Sequence, residues 1–125
     1  MLQQVLMVAL GGGIGAALRY MTSEWISNDG FPWATLSVNL IGSFLMGALA
    51  IGLAEHIVSR DLALLLGTGL LGGLTTMSAF SVETIHLIEE QQTGLAAGYV
   101  GMTMLLCPLL ALLGWKVSET ILGST

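Results

Sequence analysis

The charged residues of this chain are so sparse that they divide it into four apolar stretches. Of 125 residues, 3 are Lys or Arg and 8 are Asp or Glu, and most of them lie near the ends of the stretches. An α-helix of about 20 apolar residues crosses the roughly 30 Å hydrocarbon core of a bilayer. The pattern therefore predicts one all-α integral membrane domain over residues 1–125. We expect its four transmembrane helices at about residues 2–22, 33–54, 62–86 and 95–120.

The composition excludes several classes of protein. The chain is 54% hydrophobic and 9% charged, with a mean hydropathy of +0.87, whereas a soluble domain carries about 25% charged residues. Its net charge of −5 leaves no basic surface for nucleic acid. The single Cys107 provides no disulfide framework, and His56 and His86, predicted in loops on opposite sides of the membrane, form no metal or catalytic cluster with it. We expect no enzymatic activity.

The orientation in the membrane is weakly encoded. Arg60 and Lys116 lie on the side where the first helix begins, and Arg19 lies on the opposite side. Because topology follows the Lys/Arg imbalance of short loops, two against one is a small bias. Either this bias suffices for one orientation or the chain inserts in both. Arg19 itself either reaches the headgroups or supplies positive potential at a vestibule.

Glycines recur along the predicted helices at spacings that permit close packing. Gly11 and Gly15 form a GxxxG pair in the first helix, and Gly94 and Gly98 form another in the fourth. Small residues let helix backbones approach closely in lipid. These glycines fit either packing within one four-helix unit or a tight homo-oligomer. We expect a dimer, because four helices offer few internal faces for so many glycines.

The third apolar stretch contains a predicted break. Residues 72–81 read GGLTTMSAFS, two glycines followed by four hydroxyl residues. Glycine destabilises a helix by about 1 kcal/mol relative to alanine, and Ser and Thr compete for backbone hydrogen bonds. We expect the break near residues 72–78, and breaks at membrane depth are typical of ion sites. An unbroken helix whose glycines pack closely is the alternative.

Other polar residues fall at or near membrane depth. Asn39 needs hydrogen-bond partners there, in a pore or between helices. Tyr99, Thr103 and Cys107 share one face of the fourth helix, which packing alone also explains. Glu83 either lies where a path opens to water or begins a polar loop.

Three segments resemble motifs of the Fluc/CrcB family of small fluoride channels. Residues 12–20 (GGIGAALRY) resemble its first-helix motif and residues 39–44 (NLIGSF) its second-helix motif. Residues 72–81 resemble its third-helix break, which reads GGLTTFSTFS in the family. The similarity runs nearly from end to end, and it is specific because the three segments occur together.

The resemblance implies an antiparallel, dual-topology homodimer in the bacterial inner membrane, with two pores at the subunit interface that export toxic fluoride passively. It also implies a structural sodium ion at the dimer centre, held by the backbone carbonyls of Gly72 and Thr75. Arg19 and Glu83 correspond to vestibule positions. The pore-lining residues that it implies are Asn39, Thr76, Met77, Ser78, Phe80, Thr103 and Cys107.

This chain departs from the family pattern at several positions. Met77 replaces a phenylalanine, Ala79 a threonine and Cys107 a serine. A phenyl edge can face an anion, whereas a thioether is polarizable and flexible and a thiol is a weak donor. Met77 therefore either preserves the lining or marks reduced conduction.

The alternatives to a channel are a partner-dependent or accessory membrane subunit, including a heterodimer with a related chain, and a small multidrug exporter. The exporter needs a central acid that residues 2–18 lack.

Overall fold

The computed structural model describes residues 1–27 and 30–122, and within that range the chain is helical and contains no strand. Four helical spans are long and apolar enough to cross a membrane. They are α1 (Leu2–Trp25), α2 (Trp33–Ala54), the third span (Arg60–Glu89) and a last long helix (Thr93–Leu122). The four predicted transmembrane helices are confirmed.

The third span is not one continuous α-helix. It begins as α3 (Arg60–Ala63), winds as a π-helix over Leu64–Leu71 and returns to one turn of α-helix, α4 (Gly72–Leu74). After two residues, α5 (Met77–Glu89) completes the span, and Thr93–Leu122 is therefore α6. We call residues 60–74 the first half-helix and α5 the second half-helix. The interruption lies within residues 72–78, where the sequence predicts it.

Glycines fix the packing of α1 against the first half-helix. A Cβ on Gly11 or Gly15 would overlap backbone atoms of the π-helical segment, and one on Gly73 would overlap the carbonyl of Gly12. Only residues without a side chain permit this approach. The GxxxG pair of the first helix is therefore used within the chain.

A second set of glycines fixes α2 against α6. Gly47 lies against the backbone of Ala111, and Gly114 lies against the carbonyl of Phe44. The two helices run in the same direction, so these contacts set Thr103 level with Asn39. By contrast, a Cβ on three glycines of α6 would meet nothing within 4 Å, and these are Gly94, Gly98 and Gly101. The second GxxxG pair does not pack against residues 1–27 or 30–122 of this chain.

The outer surface of the spans is apolar. Leu6 and Leu10 of α1, Ile85 of α5, and Leu105 and Leu109 of α6 are all exposed. Large apolar side chains along every span are the surface that lipid tails accept. The buried aromatic and aliphatic side chains concentrate instead towards one end, in a cluster that includes Phe31, Leu36, Phe80, Leu87, Ala96 and Tyr99.

The third span ends at Glu89 rather than at residue 86, and the interpretations that place Glu83 or His86 in a loop are wrong. Glu83 does not begin a polar loop, because α5 continues to Glu89 and only a short turn separates it from α6. His86 also lies in α5 rather than in a loop. The physical reason is Leu87, which is buried in the aromatic cluster and keeps the helix wound beyond the first acidic residue.

Candidate functional site

The break in the third span is made by two threonines in extended conformation. Thr75 has φ −83° and ψ 152°, and Thr76 has φ −151° and ψ 125°. The amide and the hydroxyl of Thr75 both donate to the carbonyl of Leu71 at 3.0 Å, which closes the first half-helix. The Thr76 hydroxyl accepts from the amide of Ala79 at 3.1 Å and caps the second half-helix. The two threonine hydroxyls thus satisfy one backbone group at each helix end locally.

Asn39 pairs with the break through both ends of its side-chain amide. Its Nδ2 donates to the carbonyl of Thr76 at 3.1 Å, and its Oδ1 accepts from the Thr76 amide at 2.8 Å. Asn39 is only 7% exposed, so these bonds form away from water. One of the two Nδ2 hydrogens remains available for a further acceptor.

The pairing with Asn39 also frees a backbone carbonyl at the end of the first half-helix. In a continuous helix the Thr76 amide would donate to the carbonyl of Gly72, four residues earlier, but here it donates to Asn39. Gly72 lies on the exposed side of the chain and Thr75 is half-buried. The carbonyls of these two residues stand at the C-terminal end of a half-helix, where the partial charge is negative.

Arg19 lies at this same C-terminal end. Its Nε donates to the carbonyl of Gly73 at 3.2 Å, across 54 residues of sequence. A cation stabilises the carbonyls at a helix C-terminus, and the effect is larger where water is scarce. The structure therefore brings Arg19 to the break. Its predicted action at a vestibule stays a prediction.

A cavity of about 370 Å³ lies beside the break, between α2, the second half-helix and α6. Its polar lining comes from α2, from the two threonines of the break and from α6, and its apolar lining includes Phe80. Six of the seven predicted pore residues line it: Asn39, Thr76, Met77, Phe80, Thr103 and Cys107. The seventh, Ser78, lies next to the cavity, with its hydroxyl 3.1 Å from that of Thr76.

Thr103 contributes the most unusual group in this cavity. It is 5% exposed, and its Oγ1 is buried with no hydrogen-bond partner. A buried hydroxyl without a partner costs about 1 to 3 kcal/mol. Because Thr103 lines the cavity, a polar occupant of the cavity would satisfy its hydroxyl.

A second polar cluster surrounds Glu83. The Thr35 hydroxyl donates to its Oε2 at 3.0 Å, and the Tyr99 hydroxyl donates to its Oε1 at 3.1 Å. Tyr99 is fully buried, and its ring lies 4.9 Å from that of Phe80 and 5.4 Å from that of Phe31. The carboxylate thus sits at the edge of the aromatic cluster, held by two hydroxyl groups.

Phe80 and Glu83 connect the cavity at the break to a more polar opening. Phe80 lines the cavity and contacts Tyr99, which binds Glu83. Glu83 in turn lines a second cavity of about 390 Å³ with His86 and Glu90. These contacts form a continuous series of polar and aromatic groups from membrane depth to the end of α5.

Several residues of this arrangement were not predicted from the sequence. Thr35 gave no sequence signal, because a threonine near a helix start is usually a packing or capping residue. Pro108 was a visible signal: a proline inside a helix leaves the carbonyl four residues earlier without a donor, here that of Met104. Ser43, Met46, Met104 and Pro108 all line the cavity at the break.

Comparison with known proteins places the chain among bacterial membrane proteins. Residues 6–115 match the model of the family described as "CrcB-like protein, Camphor Resistance (CrcB)". A protein of Cereibacter sphaeroides is 44% identical over 92% of this chain and 98% of its own length, and one of Thermus thermophilus is 40% identical over 97% and 98%. A Shewanella frigidimarina protein is 47% identical over 90% and 94%. All three carry the name "Fluoride-specific ion channel FluC".

Proposed function

The chain belongs to the CrcB-like family, and from this membership and the geometry of the break we propose that it is a fluoride-selective ion channel. It is a multi-pass protein of the bacterial membrane. Its path runs from the cavity at the break, past Phe80, to the opening beside Glu83. The observation that carries the proposal is the unpartnered Thr103 hydroxyl in a cavity at membrane depth, opposite the end of a half-helix.

The second half-helix makes this cavity favourable for an anion. The first amides of a helix have no partner within the helix and give its N-terminus a positive partial charge. Here that N-terminus, at Thr76 and Met77, lines the cavity. A small anion there would receive donors from the Thr103 hydroxyl and the free hydrogen of Asn39 Nδ2.

Selectivity for fluoride follows from how closely these donors can approach it. Fluoride is small and strongly hydrated, so a pore must replace its water with closely placed donors and still release it. Hydroxyls and amide hydrogens provide such donors, and the edge of the Phe80 ring adds a weak positive surface. Transport is passive, and the membrane potential drives the anion outward.

The negative end of the first half-helix suits a cation instead. We propose that the carbonyl oxygens of Gly72 and Thr75 hold a structural sodium ion, since backbone oxygens suit hard cations. The capture of the Thr76 amide by Asn39 supports this, because it releases the Gly72 carbonyl from the helix. When bound, sodium would supply a positive charge that stabilises the interrupted backbone and a nearby anion.

Two carbonyls are too few to replace the hydration shell of a cation. A second copy of the chain would supply the same two carbonyls again. We propose an antiparallel homodimer, formed by insertion in both orientations, with a pore on each side of the shared ion. The exposed position of Gly72 and the exposure of Met77, at 62%, support an interface at the break. Met77 then forms part of the wall that the family builds with phenylalanine.

Fluoride efflux from liposomes that contain only this protein tests the function. A fluoride electrode follows the release, and a chloride electrode provides the control for selectivity. Fast release of fluoride without chloride is expected. A well-folded protein that releases no fluoride would overturn the self-sufficient channel and favour a partner-dependent subunit. Replacing sodium by a larger organic cation during purification is expected to reduce the efflux.

A further inference from the structure

The cavity at the break carries four sulfur-containing side chains, a feature that fluoride conduction does not require. They come from three different helices: Met46 from α2, Met77 from α5, and Met104 and Cys107 from α6. The whole chain has 7 methionines and 1 cysteine. Half of its sulfur atoms therefore belong to residues that line one cavity.

Two of these sulfur-containing side chains are neighbours on one helix face. Met104 and Cys107 are three residues apart on α6 and lie on the same side of the helix. Met46 lines the same cavity from α2, but its sulfur packs against Gly67 of the first half-helix rather than towards α6. Methionine has three rotatable bonds and adapts its sulfur position to a ligand.

The donor set of the cavity is soft. Within residues 1–27 and 30–122, no group of three or more His, Cys, Asp or Glu side chains could hold a metal ion, so the described residues offer no site for zinc or calcium of the usual kind. Thiolate and thioether ligands instead select monovalent copper and chemically similar ions. A soft cation would therefore bind through the sulfur atoms, since the Thr103 hydroxyl of the same cavity is a hard group.

We propose that this cavity binds a soft monovalent cation of the Cu(I) and Ag(I) class through the sulfur of Cys107 and the thioether of Met104. On binding, the metal–sulfur bond forms as the thiol proton passes to bulk water, so charge balances and no electron is transferred. Met77 can supply a further thioether from the second half-helix. The binding follows from the sulfur set, and only its effect on fluoride flux rests on the proposed function.

Titration of the purified full-length protein with Ag⁺, followed by isothermal calorimetry, tests the site. The medium must contain nitrate rather than chloride, because silver chloride precipitates. We expect saturable binding of one ion per chain. Cys107→Ser is expected to weaken it by about tenfold or more, and Met104→Leu by less. Met21→Leu removes an exposed thioether of α1 outside the cavity and is the matched control, expected to bind as the wild type does.

Two results would overturn the site: wild-type affinity in Cys107→Ser, or an equal loss in Met21→Leu. Each variant is compared with the wild type by size-exclusion chromatography, and Cys107→Ala replaces Cys107→Ser if the latter does not fold. In liposomes, each protein's fluoride efflux is compared with and without Ag⁺, so that a change in basal efflux does not enter the comparison. Ag⁺ is expected to reduce the efflux of the wild type, and this reduction is expected to be lost in Cys107→Ser. Silver binding without any fluoride efflux would refute the channel and leave the site, whereas efflux without silver binding would refute the site alone.

Discussion

The two half-helix ends that meet at the break are stabilised by opposite chemistry. The first half-helix ends in carbonyl groups, and the guanidinium of Arg19 donates to the one on Gly73. The second half-helix begins with amide groups, and the Thr76 hydroxyl accepts from one of them. Each end thus receives the charge or dipole that opposes its own.

The two ends also differ in what lies beside them. The first is closed by backbone packing, because Gly73 lies against Gly12 and Gly15 lies against Leu70 and Leu74. The second opens on the cavity that contains the unpartnered Thr103 hydroxyl. The first end therefore anchors the break, while the second end faces the occupant of the cavity.

Among the substitutions that test these two ends, removal of the Asn39 amide should reduce stability most. Asn39→Leu keeps the side-chain size but leaves both the amide and the carbonyl of Thr76 without partners at membrane depth. We expect a loss of about 2 to 6 kcal/mol in the free energy of unfolding, since each orphaned buried group costs about 1 to 3 kcal/mol. Thermal unfolding in detergent measures it.

Ser43→Ala provides the control for Asn39→Leu, because Ser43 lies one turn further along α2 and lines the same cavity. Its unfolding temperature should stay close to that of the wild type. Equal destabilisation by both substitutions would show that the second end does not depend on the pairing between Asn39 and Thr76.

Removal of the charge of Arg19 should destabilise the first end by a smaller amount. Arg19→Gln is expected to cost about 1.5 to 3 kcal/mol, the range for a hydrogen bond to a charged group. The matched control is Arg60→Gln, at the exposed start of the third span, where the loss should be near zero. If the two variants unfold at the same temperature, the guanidinium does not stabilise the break.

Removal of the Tyr99 hydroxyl should have a smaller effect again. Tyr99→Phe leaves the ring in the aromatic cluster but takes one of two donors from Glu83, while Thr35 still donates to the other carboxylate oxygen. We expect a loss of about 1 kcal/mol in stability and slower fluoride efflux. Tyr20→Phe, on the exposed side of α1, is the control, and its efflux should be unchanged.

Replacement of Met77 should affect stability least. Met77 is 62% exposed in the single chain, so Met77→Phe should change stability by less than about 0.5 kcal/mol. A phenyl edge in the cavity should still speed fluoride efflux. An interaction of about 0.5 to 1 kcal/mol between the ring edge and the passing anion corresponds to a change of a few-fold. Slower efflux with unchanged stability would show that the thioether suits this pore better. Met21→Phe on α1 is the control.

The sequence was sufficient to predict the four spans and the break. Their signals are local: charge-free stretches of membrane length, and the glycines and hydroxyl residues of 72–81. It was also sufficient to predict residues that line one cavity, since six of seven do so. Their roles towards fluoride and sodium stay predictions. The alternative in which Glu83 begins a polar loop is wrong, because burial of Leu87, a tertiary contact, outweighs the polarity of the local sequence.

By itself, then, the sequence determined where the chain crosses the membrane and where a helix cannot continue, because hydrophobicity and backbone preference act over a few neighbouring residues. Only the tertiary structure decided which distant side chains satisfy the backbone groups that the local threonine hydroxyls leave free. Arg19 meets Gly73 across 54 residues and Asn39 meets Thr76 across 37. These partners were fixed by the close contact of glycine-bearing helices, which sets the register of α1 on the first half-helix and of α2 on α6. No local pattern encodes such a register, because it depends on which helix faces fit together in three dimensions.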